Sequence, residues 1–226
     1  MAHRSKRYRS LSEKVPHEPQ PISAAASLVK EFASAKFTES VDVVVRLNID
    51  TRKADQAVRG SFSLPHGTGK TVRVVVFVDD PDQAAACIEA GADKAGGEEL
   101  VQEVQGGFMD FDVAIASPRM MRHVGRLGRV LGPRGLMPTP KAGTVTDDVV
   151  TATREFKGGK IEFRADSAGN VHVPVGLVSF EAAQLADNVE ALMRHLRDVR
   201  PSTVKGEFVV GVSLSSTMGP GVRVAI

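Results

Sequence analysis

Apolar side chains recur along this chain with two different periods, and the switches between them mark out its elements. Over residues 22–35, Ile22, Ala25, Leu28, Val29 and Phe32 return at helical spacing, which predicts a helix with one buried stripe. Over residues 40–49 the pattern turns to alternation, with Val41, Val43, Val45 and Leu47 on one side, as a half-buried strand requires. Residues 72–78 form a nearly continuous valine-rich run, the pattern of a strand covered on both faces. A short helix is predicted over 81–90, a second buried strand over 112–116, a helical start at Pro118 and a helix over 147–156. Strands are predicted over 161–164, 171–175, 207–214 and 222–225. Between the second and third of these, a helix over 180–199 carries Leu185, Val189, Leu192, Met193 and Leu196 on one face and ends before Pro201.

The distribution of these elements suggests how the chain is divided. Residues up to Phe62 offer about one helix and one strand, too little to bury a core alone. Residues after Lys160 supply several strands and a helix. The economical arrangement is a split α+β domain from residues 1–66 plus 160–226, with residues 67–159 inserted as an α/β domain. The two crossings, near 63–70 and 156–160, contain Pro65, Gly67, Gly69, Gly158 and Gly159. They read either as a hinge, which needs only a few residues that absorb dihedral change, or as a stiff joint whose glycines serve turns.

Composition narrows the class. A 42% hydrophobic and 25% charged chain of 226 residues is that of a soluble globular protein, and no apolar run approaches the roughly 20 residues of a membrane helix. The first twenty residues lack the apolar core of a secretory signal. With a single cysteine, Cys87, there is no internal disulfide framework and no cysteine-based zinc site. A cytoplasmic location is expected. The net charge of +2 conceals a separation of sign: residues 79–112 hold ten acidic side chains and one basic one, Lys94, while residues 118–146 hold six basic ones and no acid. Such separation steers toward a polyanion, or it marks ordinary solvated faces.

Catalytic and cofactor motifs are missing. His66-Gly67-Thr68-Gly69-Lys70-Thr71 lacks the first glycine of a phosphate loop, whose position is held by Leu64, and it precedes a strand where such a loop should follow one. The six histidines lack helical metal-site spacing, and no nucleophile elbow is present. No enzyme activity, cofactor, metal or small-molecule substrate is expected. Two other segments have a character of their own. Residues 125–138 alternate arginines with glycines and prolines, which lets backbone approach a partner while guanidinium groups fork onto phosphates; packing on its own domain is the alternative. At residues 213–221 a strand ends in small hydroxyl residues and then Thr217-Met218-Gly219-Pro220-Gly221. Met218 has no periodicity to bury it, and Thr217 offers a hydroxyl to a phosphate, a ribose or a base edge; a plain hairpin turn is equally compatible.

Three segments together carry a family resemblance: Lys36-Phe37-Thr38-Glu39-Ser40-Val41-Asp42-Val43, residues 125–138 ending Gly132-Pro133-Arg134-Gly135-Leu136-Met137-Pro138, and Thr217-Met218-Gly219-Pro220. Ser63-Leu64-Pro65-His66-Gly67 and Ala186-Asp187-Asn188 extend it over nearly the whole chain. The sequence resembles the ribosomal protein L-one family, bacterial type, the universal protein of the mobile large-subunit stalk beside the tRNA exit site. The resemblance implies a split two-layer α+β domain and an inserted three-layer, Rossmann-like α/β domain. It implies large-subunit rRNA, exit-site tRNA and the protein's own operon mRNA as partners, with no membrane and no obligate homo-oligomer. Carried over by position, the rRNA and mRNA surface comprises Lys36, Phe37, Ser40, Asp42, Arg164, Thr217, Met218 and Gly219. Ser40 and Asp42 stand where some relatives have Thr and Glu, which trims their reach. Phe37 is either a contact or core at the helix–strand corner. Arg52, Lys53, Arg126 and Arg129 are secondary candidates for tRNA or adjacent rRNA. With no Trp and one Tyr, the chain suits recognition of folded RNA by shape, sugar and phosphate better than stacking of single-stranded bases.

Overall fold

The computed structural model describes residues 5–225; His3, one of the six histidines, lies outside the described residues. The chain forms two compact units, one holding residues up to Lys70 and from Phe163 onward, the other Thr71–Glu162. The first unit opens with α1 (Lys6–Glu13), whose start is capped by the Ser5 hydroxyl accepting from Tyr8 N. Helix α2 (Ile22–Phe32) buries Ala25, Ala26, Val29 and Phe32. It stops short of Ala35 because Ala33 turns to extended backbone and Ala35 N donates instead to the Glu39 side chain. Strand β1 (Ser40–Leu47) buries Val41, Val43, Val45 and Leu47, the alternate set expected of it, and β2 (Arg59–Ser63) follows.

The second unit contains β3 (Val74–Phe77), α3 (Pro81–Glu89), β4 (Lys94–Gly96), α4 (Glu98–Gln105), β5 (Val113–Ala116), α5 (Met121–Val124), α6 (Gly128–Leu131) and α7 (Val149–Lys157). Its parallel sheet has the order β4-β3-β5. Successive side chains of a strand point to opposite faces. Val74, Val76 and Val78 accordingly pack with Cys87, Val149, Ala152 and Phe156 from α3 and α7. Val75 and Phe77 pack with Leu100, Val101 and Val104 of α4 and with Val124, Leu127 and Leu131 beyond β5. The result is a three-layer α/β unit. Each fully buried side chain of this size contributes roughly 1.5–3 kcal/mol through lost apolar hydration. The acidic stretch is largely tied into this framework: Asp93 accepts from Val74 N at 2.8 Å and from Lys157 Nζ at 2.7 Å, Asp112 binds Arg73, and Glu103 takes Lys94 Nζ at 2.7 Å.

The chain then re-enters the first unit through β6 (Lys160–Arg164), β7 (Asn170–Leu177), α8 (Ala182–Asp198), β8 (Val209–Ser216) and β9 (Val222–Val224). Strand β6 pairs with β2, and the main sheet is antiparallel in the order β7-β1-β8-β9. Pro174, which has no N–H to give, sits on the edge strand β7, where the register with β1 shifts between Val41 and Asp42. A Glu181–Gln184 capping box starts α8, and Leu185, Val189, Leu192 and Leu196 are its buried stripe. Helices α2 and α8 pack on each other and on the face of the sheet that holds Val43, Val173 and Leu214. The opposite face carries Ser40, Asp42, Val44 and Arg46 of β1, His172 of β7, Ser213 and Ser215 of β8 and Arg223 of β9.

Several elements differ from the pattern read off the sequence. Among the described residues, the stretch up to Ser63 contains two α-helices, a short 3-10 turn (Ala54–Gln56) and two strands, against an expectation of about one helix and one strand. Neither α1 nor β2 has an apolar stripe to announce it, and β4 with α4 occupies the acidic stretch. Residues 67–70 belong to the first unit for a physical reason. Asn188, fully buried, accepts from His66 N and donates to Gly67 O, and Gly69, at φ +72°, lies so close to Phe180 that a Cβ would meet its ring at 2.7 Å.

Candidate nucleic-acid interface

The site is built where the entry to β1 meets the β8–β9 turn. Strand β1 runs antiparallel to β8, so Ser40 and Val41 at its start face Ser216 and Thr217 at the end of β8. Thr217 N donates to Ser40 O at 3.0 Å, and Ser40 N donates to Thr217 Oγ1 at 3.0 Å. The two hydroxyls lie 3.0 Å apart, and Thr217 Oγ1 is 3.3 Å from Ser40 O. The Thr217 hydroxyl is therefore first of all a lock between the two segments, with limited capacity left for a ligand.

Beneath this lock lies Glu39, only 2% exposed. Its Oε1 accepts from Ala35 N at 3.0 Å and its Oε2 from Met218 N at 2.8 Å, while its main-chain O accepts from Val178 N at 3.0 Å. One residue thus fixes the loop after α2, the β8–β9 turn and the exit of β7. Burial pushes the Glu39 carboxyl up, and the N–H groups of Met218 and Ala35 pull it down. The Ser216 hydroxyl, close by yet outside hydrogen-bonding geometry, and the Arg7 charge add to them, and the group is held below the usual glutamate range. Arg7 of α1 reaches the same place: its Nη2 donates to Met218 O at 3.2 Å and its Nη1 to Ser34 Oγ at 3.3 Å. Gly219 closes the turn, with Gly219 N donating to Ser216 O at 3.2 Å; a Cβ there would meet Ser216 Oγ at 2.5 Å, so a larger residue would have to displace that hydroxyl.

What this framework presents outward is apolar and basic. Phe37 is 56% exposed and Met218 48% exposed, against the tendency of such side chains to be buried. The alternative of Phe37 as a core residue is thereby settled. Lys36 is exposed beside it. One step along β1, Asp42 is half-buried; burial pushes its carboxyl up, opposed by Lys70, Ser40 and His172, and the balance leaves it above the usual aspartate range.

The remaining candidates lie elsewhere. Arg164 is exposed at the end of β6, beside Ala165, which bridges to Val171. Val171 pairs with Val45, so Arg164 belongs to the opposite end of β1, about 20 Å along the strand from Ser40. Arg52 and Lys53 share that end. Their loop is tied to the β6–β7 turn by Thr51 Oγ1 donating to Ser167 O at 2.9 Å, and Lys53 stands 3.8 Å from Asp50. That turn is organised by Asp166, whose carboxyl is lowered to about 2, chiefly by the Asn170 N–H. Arg126 and Arg129 are exposed in the second unit, on the short helical turns that bury Leu127 and Leu131. The 125–138 segment is thus helical at its start and packed through its leucines, with its arginines outward.

Sequence reasoning missed Glu39 and Arg7, and with them Arg46, His172 and Arg223 on the open sheet face. Glu39 lay inside a quoted motif, but an acid at a strand entrance carries no mark of burial. Among the described residues no group of three or more His, Cys, Asp or Glu side chains is placed to hold a metal, and no helix is long and apolar enough to cross a membrane.

Residues 29–220 match the model of the Ribosomal protein L1p/L10e family. The large ribosomal subunit protein uL1 of Chlamydia trachomatis serovar L2b is 55% identical over 203 residues, covering 90% of this chain and 87% of its own. That of Corynebacterium glutamicum strain R is 53% identical over 226 residues, covering 99% of this chain and 95% of its own. That of Cutibacterium acnes is 53% identical over 223 residues, 98% of this chain and 95% of its own. The chain belongs to the Ribosomal protein L1p/L10e family and is of its bacterial type.

Proposed function

We propose that the chain is a structural constituent of the large ribosomal subunit, with no enzymatic activity, and that its first unit binds the large-subunit rRNA of the mobile stalk. The observation that carries the binding site is the exposure of Phe37 and Met218 on segments locked through the buried Glu39. Exposed apolar side chains on a hydrogen-bonded frame fit the unstacked bases and sugar edges of a folded RNA, and flanking Lys36 supplies charge for phosphate. Asp42 can accept from a ribose 2′-OH or a base amino group. The names of the relatives, each a large ribosomal subunit protein, support the assignment to the subunit. The basic residues of the second unit, with Arg52 and Lys53, serve as weaker contacts to exit-site tRNA or neighbouring rRNA. In this reading the stalk moves with deacylated tRNA toward exit, and a similar RNA fold in the protein's own operon message is bound to repress its translation.

Sequencing the RNA that co-purifies with the tagged chain tests the proposal. Enrichment of large-subunit rRNA from the stalk, together with its own message, is the expected result. RNA recovered in proportion to its abundance would instead indicate a nonspecific binder driven by the basic segment.

A further inference from the structure

Glu39 and Arg7 take part in none of the RNA contacts proposed above, yet both converge on Met218. The carboxylate of Glu39 is buried and spends one oxygen on Ala35 N and the other on Met218 N. Arg7 comes from the other side, donating to Met218 O and to Ser34 Oγ. Met218 is thus held at both main-chain polar groups, its N–H by Glu39 and its carbonyl by Arg7, while its side chain stands outward. Ser34 and Ala35 belong to the loop that continues into Lys36 and Phe37, so the same two residues also grip the other half of the interface. No residue of α1 is buried, and eight residues are too few for a helix to be stable in water by itself. The Arg7 contacts tie α1 to the Met218 turn and to the loop after α2.

We infer that Glu39 and Arg7 are positioning residues of the RNA interface, and that α1 is a strap which locks the Met218 turn into its binding shape. This rests on the proposed rRNA-binding reading. Its physical content is preorganisation: a turn already fixed before the encounter does not lose that freedom on binding, so affinity rises without any new contact to the ligand. A positioning residue differs from a phosphate contact in a measurable way. Removing a phosphate contact lowers the dependence of affinity on salt; loosening a turn lowers affinity at every salt concentration alike.

The experiment uses the full chain and a transcript of the stalk rRNA fragment. Binding is measured across a salt series for the wild type, Glu39→Gln, Arg7→Ala, Arg7→Lys and, as a contact control, Phe37→Ala. Amide exchange at Met218 is followed in the free protein, and the fluorescence of Tyr8, the chain's single tyrosine in the absence of tryptophan, reports on α1. Glu39→Gln replaces one accepting oxygen with an N–H₂ group that cannot accept from Met218 or Ala35. Expected results are faster Met218 exchange and about tenfold weaker binding in Glu39→Gln, with the salt slope unchanged. Arg7→Ala is expected to act the same way to a smaller degree, with altered Tyr8 emission, and Arg7→Lys to recover part of the loss. A salt slope reduced by about one in Arg7→Ala would make Arg7 a phosphate contact and overturn its positioning role. Wild-type affinity in both Glu39→Gln and Arg7→Ala, with Phe37→Ala weakened, would overturn the inference and leave the interface standing. Wild-type affinity in Phe37→Ala as well would remove the interface itself. Should Glu39→Gln fail to fold, the Arg7 variants, altered on a helix with no buried residue, carry the same comparison.

Discussion

Two regions of this molecule present groups suited to RNA, and they are made in different ways. At the β8–β9 turn of the first unit, the exposed groups are Phe37, Met218 and Lys36, and behind them lies a closed hydrogen-bond frame through Glu39, Ser40 and Thr217. In the 125–138 segment of the second unit, the exposed groups are Arg126, Arg129 and Arg134, and behind them lie Leu127 and Leu131 in an apolar core. Both segments are anchored, but the anchoring does different things. Leucine packing holds a helical turn while leaving long arginine side chains free to choose among phosphates. The hydrogen-bond frame fixes main-chain atoms and short side chains, which leaves one shape on offer. By this contrast, the proposed interface places specificity at the fixed turn rather than at the segment of higher charge density.

The largest effect should come from cutting the frame. Glu39→Ala strands the N–H groups of Ala35 and Met218, at a cost of roughly 1–3 kcal/mol for each that finds no water. Urea unfolding followed through Tyr8 emission measures it, and a loss confined to RNA affinity would show that the frame matters less to the fold than its burial suggests. Next come Met218, which is presented outward, and Thr217, whose hydroxyl closes the frame. Met218→Ala and Thr217→Ala should each weaken binding to stalk rRNA by roughly 1–3 kcal/mol. Met218→Ala should leave stability almost untouched because its side chain is half exposed, whereas Thr217→Ala should also destabilise, since its hydroxyl closes onto Ser40. Arg126→Ala and Arg129→Ala should weaken stalk rRNA and unrelated duplex RNA about equally and lower the salt slope by about one each.

Titration provides the smallest tests. Glu39 is held below its unfolded value, so its ionised form stabilises the fold above the ordinary glutamate range, and that contribution is lost as pH falls through the depressed folded value. Asp42 has the opposite sign. Its folded value is raised, so stability declines as pH rises from the unfolded value through the folded one. Asp42→Asn should therefore raise stability slightly at neutral pH, measured as an upward shift in Tm, while trimming RNA affinity. A lowered Tm would mean that the carboxylate's interactions with Lys70 and His172 outweigh its burial.

Much of the fold was legible where burial follows periodicity. The alternating valines of β1, the continuous apolar runs of β3 and β5 and the long stripe of α8 each fall where their spacing puts them. Helix α1 and strand β2 carry no periodic signature because both lie at the surface and bury little, although Ser5 is a readable cap for α1. Helix α4 carries Leu100, Val101 and Val104 on its buried side, a short stripe hidden by the acidic residues around it. The Thr-Met-Gly turn and the Lys36-Phe37 segment were found by resemblance and by the absence of any periodicity that would bury Met218. What no pattern could supply was that these two segments, about 180 positions apart, share one carboxylate. That juxtaposition comes from the antiparallel pairing of β1 with β8, which only the folded chain displays.

On the proposed reading, shape at the Glu39-locked turn, rather than charge on the second unit, selects the RNA. Competition between the stalk rRNA fragment and an unrelated duplex of equal length, at fixed salt, tests it most directly. The ratio of the two affinities is compared for the wild type, a Phe37→Ala/Met218→Ala double variant and an Arg126→Ala/Arg129→Ala double variant. The first double variant is expected to lose most of the preference for stalk RNA, while the second binds both RNAs more weakly and keeps the ratio. A preference that survives loss of Phe37 and Met218 but collapses with loss of Arg126 and Arg129 would contradict it.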